Sequence, residues 1–466
     1  MSQASTAPSA AGGQASNDSP AVDGRQVVGD VQVQPAAGPE PATVLAPAAI
    51  PAEQPLAEAV GRRNEWLLVI FTAATNTTDA ITKVALPLLA AQLTSSPALV
   101  AGVLTALTLP WLVTALHVGV FVDRLNRRSL MVGAEVARIV AVGVILAAVL
   151  AGGTTILLIY VIAVVLGIAE VIALTAGASI VPTVVPRKRW QTANARITAM
   201  EYLFNGFVGS PIGGFLVAIG FAFTFGVTVG VYAIGIVLLF MLAANFAVKK
   251  APVRRSMNAE IREGISFLWR YKLLRTMALL ISVMAGCWAG WLAVLPVYAV
   301  RPGPLELTSQ GYGILLTCLG AGGVLGTLMV GRTNRWLGRR WSMFADIIGT
   351  FMLVAVPAVV PATAGSAWAV GAAAFIAGVG GTMWTVNSRV IIQSLVPNEL
   401  LGRFNAASRL LGWGTAPVAA ALMGVLAEVV GFRAAFGVFA VLCAGLIVPY
   451  LRIVTAEALA PVDSPG

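Results

Sequence analysis

The sequence predicts an all-α membrane protein whose twelve transmembrane helices fold as two six-helix, pseudo-symmetric bundles. Three observations predict it: an apolar composition, a series of apolar runs of membrane length, and an internal repeat. Of 466 residues, 58% are hydrophobic and only 11% charged, and the mean hydropathy is +0.86. Globular domains average about 25% charged residues, so a chain this apolar cannot bury its hydrophobic surface in one water-soluble core. Part of its solvent must be lipid.

Residues 1–60 are rich in Ala, Pro, Gly, Ser and Gln and show no apolar period, and they lack an apolar stretch followed by a cleavage site. They are predicted to be a disordered, uncleaved cytoplasmic tail. From Trp66 the chain divides into apolar runs, at 66–91, 98–121, 130–151, 155–181, 194–219, 222–247, 274–299, 309–331, 341–361, 367–394, 404–430 and 433–455. At about 1.5 Å per residue each run can cross a hydrocarbon layer roughly 30 Å thick. Runs one to six make a first bundle over 61–247, and runs seven to twelve a second over 274–456. The gap between them, 248–273, contains MNAEIREGISFLWRYKLL, in which charged and apolar residues alternate at helical spacing. It is predicted to be a cytoplasmic linker with an amphipathic helix on the inner membrane surface. Residues 457–466 form a short cytoplasmic tail.

The net charge of +10 would suggest nucleic acid in a soluble protein. Here the basic residues sit in short gaps between apolar runs, and they sit in alternate gaps. Arg62 and Arg63, the Arg124 to Arg128 group, Arg187 to Arg189, Lys249 to Arg275 and the Arg332 to Arg340 group fall on one side, against little beyond Arg301 and Arg433 on the other. The positive-inside rule makes the first set cytoplasmic, and an even number of spans then puts both termini there, in a multi-pass protein of the plasma membrane with no nucleic-acid partner. Cys287, Cys318 and Cys443 lie within apolar runs without metal-type spacing, so packing roles are expected, with no metal and no cofactor.

A shift of 211 or 212 residues places Gly102 on Gly313, Gly119 on Gly331, Glu135 on Asp346, Pro186 on Pro397 and Asn194 on Asn405. It also carries the charged hinge GVFVDRLNRR, residues 119–128, onto GRTNRWLGRR near residues 331–340. The hinge occurs twice because the six-helix unit does. Parallel repeats of this kind place a substrate site between the halves near the membrane midplane.

These residues resemble the major facilitator superfamily. Gly119-x-x-x-Asp123-Arg124-x-x-Arg127-Arg128 is similar to its loop motif, with Asn126 in place of a second glycine, while the second copy has Arg335 where the Asp would stand. The fifth run, NGFVGSPIGGFL, is similar to the family's antiporter motif through Gly209, Gly213 and Gly214, with the proline displaced by one position to Pro211. TTDAITKVALPLLA, WRYKLLRTM and LVPNELLGRFNA are similar to the branch of enterobactin exporters and macrolide or multidrug efflux proteins. The resemblance implies alternating access, a cytoplasmic charge lock at Gly119, Asp123, Arg124, Arg127 and Arg128 joined by Glu135, and a cavity lined by the first, fourth, seventh and tenth spans.

No G-x-x-x-x-G-K-[ST] loop is present, so the driving force is expected from a gradient, and the chain is not expected to be an enzyme. Ionisable groups inside the membrane are costly there and so are candidates for coupling. Asp79 and Lys83, one turn apart, read either as a structural pair or as a carboxyl that exchanges a proton for its cation. Glu170 is a further coupling candidate; Glu201 is one too, with Arg196 or another cation as its expected structural partner. His117, the only histidine, is expected to pack. Asn76, Trp288, Trp291, Tyr298, Trp384 and Asn387 are candidates for a cavity wall around an amphipathic solute. The expected function is a proton-coupled exporter, or antiporter, of amphipathic small molecules such as drugs or siderophore-like natural products, working as a monomer. The alternatives are an importer or uniporter of a small polar metabolite, which would want more polar cavity residues, and a receptor or scaffold that does not transport.

Overall fold

The computed structural model describes residues 58–113, 125–243 and 265–463. Gly119, Asp123, Arg124 and His117, the 1–57 tail and most of the linker therefore lie outside the described residues.

The regular structure of the described residues is helical, apart from one isolated bridge between Val300 and Leu307. The first half of the chain contains α1 (Glu58–Leu93), α2 (Pro97–Val113), α3 (Arg127–Leu150), α4 (Ile156–Val184), α5 (Trp190–Met200), a π-helical stretch at Glu201–Val208, α6 (Gly209–Ile219) and α7 (Phe221–Phe240). The second half contains α8 (Lys272–Ala299), α9 (Ser309–Val359), α10 (Ala367–Leu395), α11 (Asn398–Val430), α12 (Phe432–Gly445), α13 (Ile447–Ile453) and α14 (Ala456–Asp463). Eight helical stretches among the described residues are long and apolar enough to cross a membrane, and Pro97–Val113 and Gly414–Val430 are shorter apolar helices.

Local chemistry sets several helix starts. Asn126, which replaces the motif's second glycine, caps α3: its side-chain oxygen accepts from Arg128 N at 3.0 Å and Ser129 N at 3.3 Å. Thr155 caps α4 and Thr308 caps α9 in the same way, so orphan amide donors of the first turn are satisfied. The second charged hinge differs from the expectation of a loop. The helix continues through Arg332, Arg335 and Leu337, and leaves helical geometry only at Gly338, where φ is +79°. That backbone region is open to glycine at no steric cost, so one residue makes the turn.

The polarity of the fold is inverted relative to a soluble protein. Leu157, Leu328 and Val441 are 73–74% exposed on outward faces of membrane-length helices, whereas Glu65, Glu135 and Asn387 are fully buried. Apolar surface on this scale has lipid as its solvent. One apolar cluster runs continuously from Val84 and Val103 through Trp291 to Phe436 and Tyr450, tying the two halves of the chain together. Close approaches reinforce it at one end of the bundle. A Cβ at Gly214 of α6 would lie 2.5 Å from Gly313 Cα of α9, and one at Gly424 of α11 would lie 2.5 Å from Ala101 Cβ of α2.

Candidate functional site

The buried charges of the first half form a connected centre between α1, α3, α4 and α7. Asp79 stands in the middle of α1, among the buried polar residues Thr72, Thr75, Asn76, Thr78 and Thr82. Its Oδ2 accepts from Arg138 Nη2 of α3 at 2.8 Å, and its Oδ1 from the Tyr232 hydroxyl of α7 at 2.8 Å. Arg138 spends its other terminal nitrogen on Glu135 Oε1 at 2.6 Å, one turn earlier on α3. The guanidinium also lies over the Tyr232 ring, 5.4 Å from its centroid. Arg138 side-chain exposure is 2% and that of Glu135 is 0%. Among the described residues Glu135 Oε2 has no hydrogen-bond partner.

A second group lies beside the first. Lys83 Nζ donates to Glu170 Oε1 of α4 at 2.8 Å and to Asn205 Oδ1 at 3.4 Å, and Asn205 Nδ2 donates to Asn76 Oδ1 at 3.2 Å. Asn205 stands in the π-helical stretch, a local widening of the helix found often at functional positions. Two of the antiporter-like motif residues explain how that stretch reaches α1. A Cβ on Gly209 would meet Ala80 and the Thr77 carbonyl, and one on Gly213 would meet Ile81 and Val84, so only glycines allow this approach, while Gly214 faces α9 as described. Pro211 is half-buried in the same turn of α6.

These partners correct three expected pairings. Asp79 and Lys83 do not pair with each other. The two donors around Asp79 and the carboxylate on α4 offer each a better partner than an intrahelical contact worth a few tenths of a kcal/mol. Glu135 does not join Arg127 or Arg128, because it lies seven residues, about 10 Å, further along α3. Instead Arg127 Nη1 donates to Thr183 Oγ1 at 3.2 Å, and Arg128 Nη2 to the Phe240 carbonyl at 2.8 Å. Arg196 pairs not with Glu201 but with the buried Glu65, at 2.7 Å, with Arg189 also at 2.7 Å from the same carboxylate.

Glu201 lines a small cavity with Thr72, Asn76, Asp79, Arg138 and Gly177. Its volume of about 30 Å³ admits one or two waters, each needing roughly 10–15 Å³. The predicted cavity-wall aromatics are mostly inside the packing in this structure. Trp291 and Tyr298 are buried in the core cluster, and the Tyr298 ring packs at an angle against Phe432 and edge-on against Phe436. Trp384 packs near Tyr450. Asn387 is fully buried, bonded to Asn334 and Ser342. Trp288 alone of these is half-buried, with its indole N–H donating to Thr350 Oγ1 at 3.0 Å.

Two members of the centre, Arg138 and Tyr232, are absent from the sequence-based candidates. For Arg138 a signal existed: a single arginine inside an apolar run, three residues after an acid. Tyr232 carried none, since a lone tyrosine in a membrane-length run is ordinary.

Membrane-length helices that bury charges against one another and against a water-sized cavity define a polytopic membrane transporter. Known proteins agree with that class. The family model of the Major Facilitator Superfamily matches residues 66–416, and the chain belongs to that superfamily. It is 28% identical over 386 residues to the multidrug efflux pump Tap of Mycolicibacterium fortuitum, covering 80% of this chain and 92% of that protein. It is 26% identical over 419 residues to the multidrug efflux pump Tap of Mycobacterium tuberculosis (strain ATCC 25618 / H37Rv), covering 87% and 98%. Among solved structures, the nucleoside transporter NupG superposes with a TM-score of 0.64 at 12% identity, over 84% of this chain and 99% of that one. A bacterial homologue of the iron transporter ferroportin, in an inward-facing state, gives 0.63 at 16% identity, over 84% and 98%. At such identities the structures speak to the fold alone.

Proposed function

We propose that the protein is a proton-coupled exporter of amphipathic drugs, and that the Asp79–Arg138–Glu135 centre carries the coupling proton. The observation that carries this reading is a mismatch of charge. Two carboxyls, on Asp79 and Glu135, share one guanidinium, and the neighbouring Lys83 is taken up by Glu170. Burying an unmatched carboxylate costs several kcal/mol, so the centre is stable with one proton bound, and it can release that proton when water or a cation reaches it. The unpartnered Oε2 of Glu135 and the water-sized cavity at Asp79 supply a place for the proton and a route to it.

Drugs as substrates are supported by the relatives named as multidrug efflux pumps, which match along 92–98% of their own length. Twelve spans in two halves, with both termini cytoplasmic, fit the alternation of basic gaps and the tight helix contacts near residues 97–101, 214, 313 and 424. With that orientation the contacts close the outer end. Asp123 and Arg124, with Arg127 and Arg128, would lock the inner end in the opposite state. The test is efflux from everted vesicles under an imposed proton gradient, with a panel of dyes, macrolides, tetracyclines and catecholate siderophores. Gradient-driven accumulation of at least one drug is expected; equilibration without accumulation would instead make the protein a uniporter.

A further inference from the structure

The internal repeat places Glu135 of α3 on Asp346 of α9, yet the two carboxyls have different surroundings. Three residues after Glu135 comes Arg138, which neutralises it; three residues after Asp346 comes Gly349. No side chain fits there, because a Cβ at Gly349 would lie 2.8 Å from Ala377 Cα and 2.9 Å from the Ile376 carbonyl of α10. Helix α10 also closes on Asp346 itself, where a Cβ at Gly380 would come within 2.5 Å of Asp346 Cα.

Asp346 is 3% exposed, and among the described residues it forms no ion pair. Its Oδ1 accepts from Thr350 Oγ1 at 3.2 Å, and that hydroxyl accepts from Trp288 Nε1 at 3.0 Å. The chain of donors runs one way, from the half-buried indole on α8 to the carboxyl. The titratable groups on the surrounding helices supply no charge to it. Cys443 of α12 donates its thiol to the Ile347 carbonyl at 3.7 Å, and Cys287 of α8 donates to that of Phe439 at 3.8 Å. The Tyr450 hydroxyl of α13 is committed to the Arg340 carbonyl. Along the helices, Arg340 is six residues from Asp346 and Arg389 eight from Gly381, about 9 and 12 Å away.

Two neutral donors in series do not offset the cost of a lone carboxylate at this depth, whereas a neutral carboxyl with its proton on Oδ2 costs little. We propose that Asp346 is a second proton-binding site, in the C-terminal half of the chain and separate from the Asp79 centre. The inference rests on the proton-coupled reading for its place in the cycle: the Asp346 O–H dissociates to water on the side to which the cavity opens, and the carboxylate is reprotonated from the other side. Each cycle then moves two protons and not one.

The test uses the full chain in liposomes and reads the proton directly. A pH-titrated infrared difference spectrum is expected to contain a protonated-carboxyl band that persists in Asp79→Asn, is lost in Asp346→Asn, and shifts in frequency in Thr350→Val, which keeps the carboxyl but removes its donor. An Asp346→Asn spectrum identical to wild type overturns the proposal. Should Asp346→Asn not fold, an unshifted band in Thr350→Val overturns it equally. A second arm follows efflux of a permanently monocationic dye. Two protons exchanged for one cation move net charge, so wild type is expected to respond to membrane potential, and Asp346→Asn to respond to the pH gradient only; a potential response retained in Asp346→Asn overturns the two-proton cycle. If the protein moves no dye at all, the export reading falls while the infrared band still tests the site.

Discussion

Arg138 of α3 reaches Asp79 of α1 with one terminal nitrogen at 2.8 Å while its other holds Glu135 at 2.6 Å. One guanidinium thus serves two carboxyls from two helices, which a lysine, a point charge on a flexible stem, cannot do with the same geometry. Removing the cation and removing one acid should therefore have different consequences. Asp79→Asn leaves Arg138 paired with Glu135, so the variant is expected to fold, to bind substrate and to allow downhill exchange. Gradient-driven efflux should fall by at least about tenfold, measured in everted vesicles. Arg138→Met strands both acids and is expected to lose stability on the scale of about 3–5 kcal/mol for a broken buried pair, read as a lowered Tm in detergent. Arg138→Lys should recover part of the Tm and little of the efflux.

The Lys83–Glu170 contact offers a cleaner separation of structure from coupling. Lys83 keeps 27% side-chain exposure, so breaking the pair should cost less than a fully buried one. Lys83→Met alone leaves Glu170 without its cation, and Glu170→Gln alone leaves the ammonium without its carboxylate. The double variant removes both charges. If the pair is structural, the double variant regains the Tm lost in each single one and pumps at near wild-type rate. A double variant that regains Tm yet does not pump would place Glu170 or Lys83 on the proton route. A double-mutant cycle in Tm gives the coupling of the pair, for which contacting residues typically show about 0.5–3 kcal/mol.

The all-helical membrane class was legible because membrane crossing leaves a coarse signal, apolar runs of crossing length, and the repeat offset brings Gly102 onto Gly313. The structure puts that Gly313 against Gly214. Asp79, Lys83 and Glu170 were legible as functional candidates for the same reason, since any charge in an apolar run stands out. Their partners were not. Sequence spacing reports neighbours on one helix, so Lys83 looked like the partner of Asp79, whereas the actual partners, Arg138, Tyr232 and Glu170, arrive from other helices by packing. The same limit explains the aromatics. Trp291 and Tyr298 share a helix with Trp288, but only the rotation of α8 decides that the first two enter the core and the last is half-buried. The helical course of the second hinge was hidden by its charges, which read as a loop although a single glycine makes the break.

The contact of Gly214 with Gly313 predicts a conformational phenotype. A methyl group at position 214 would lie 2.5 Å from Gly313 Cα and 3.0 Å from its amide nitrogen, with backbone on the far side and nothing flexible to yield. Gly214→Ala should push α6 and α9 apart and disfavour the state in which they touch. Spin labels at the α6–α7 and α8–α9 connections are expected to report a longer distance and a slower transport cycle with substrate affinity changed only a fewfold, since the change acts on the balance of states. An unchanged distance would mean that the helices separate little during transport.

A polar contact also joins the two halves at this end. Glu428 of α11 accepts from the Ser96 hydroxyl at 2.6 Å and from the Ala98 amide at 3.4 Å, so a carboxylate from the second half of the chain satisfies the first turn of α2 in the first half. An anion at a helix start is favoured by the helix dipole and by the free amides there. The contact exists only while the two helices meet, and it should hold this end closed. Glu428→Gln keeps shape and one acceptor but removes the charge; Ser96→Ala removes the shorter bond and leaves the charge. Both are expected to raise the labelling rate of a cysteine introduced at the buried Val103 on α2 by a membrane-impermeant thiol reagent added from outside, in a background whose native cysteines are replaced. The glutamine variant should have the larger effect, because hydrogen bonds to a charged acceptor are the stronger ones. High salt should narrow the difference, since the carboxylate is exposed and its attraction for the helix end is screened. Equal labelling in all three proteins, at any salt, would show that apolar packing around Gly424 and Ala101 closes this end without help from Glu428.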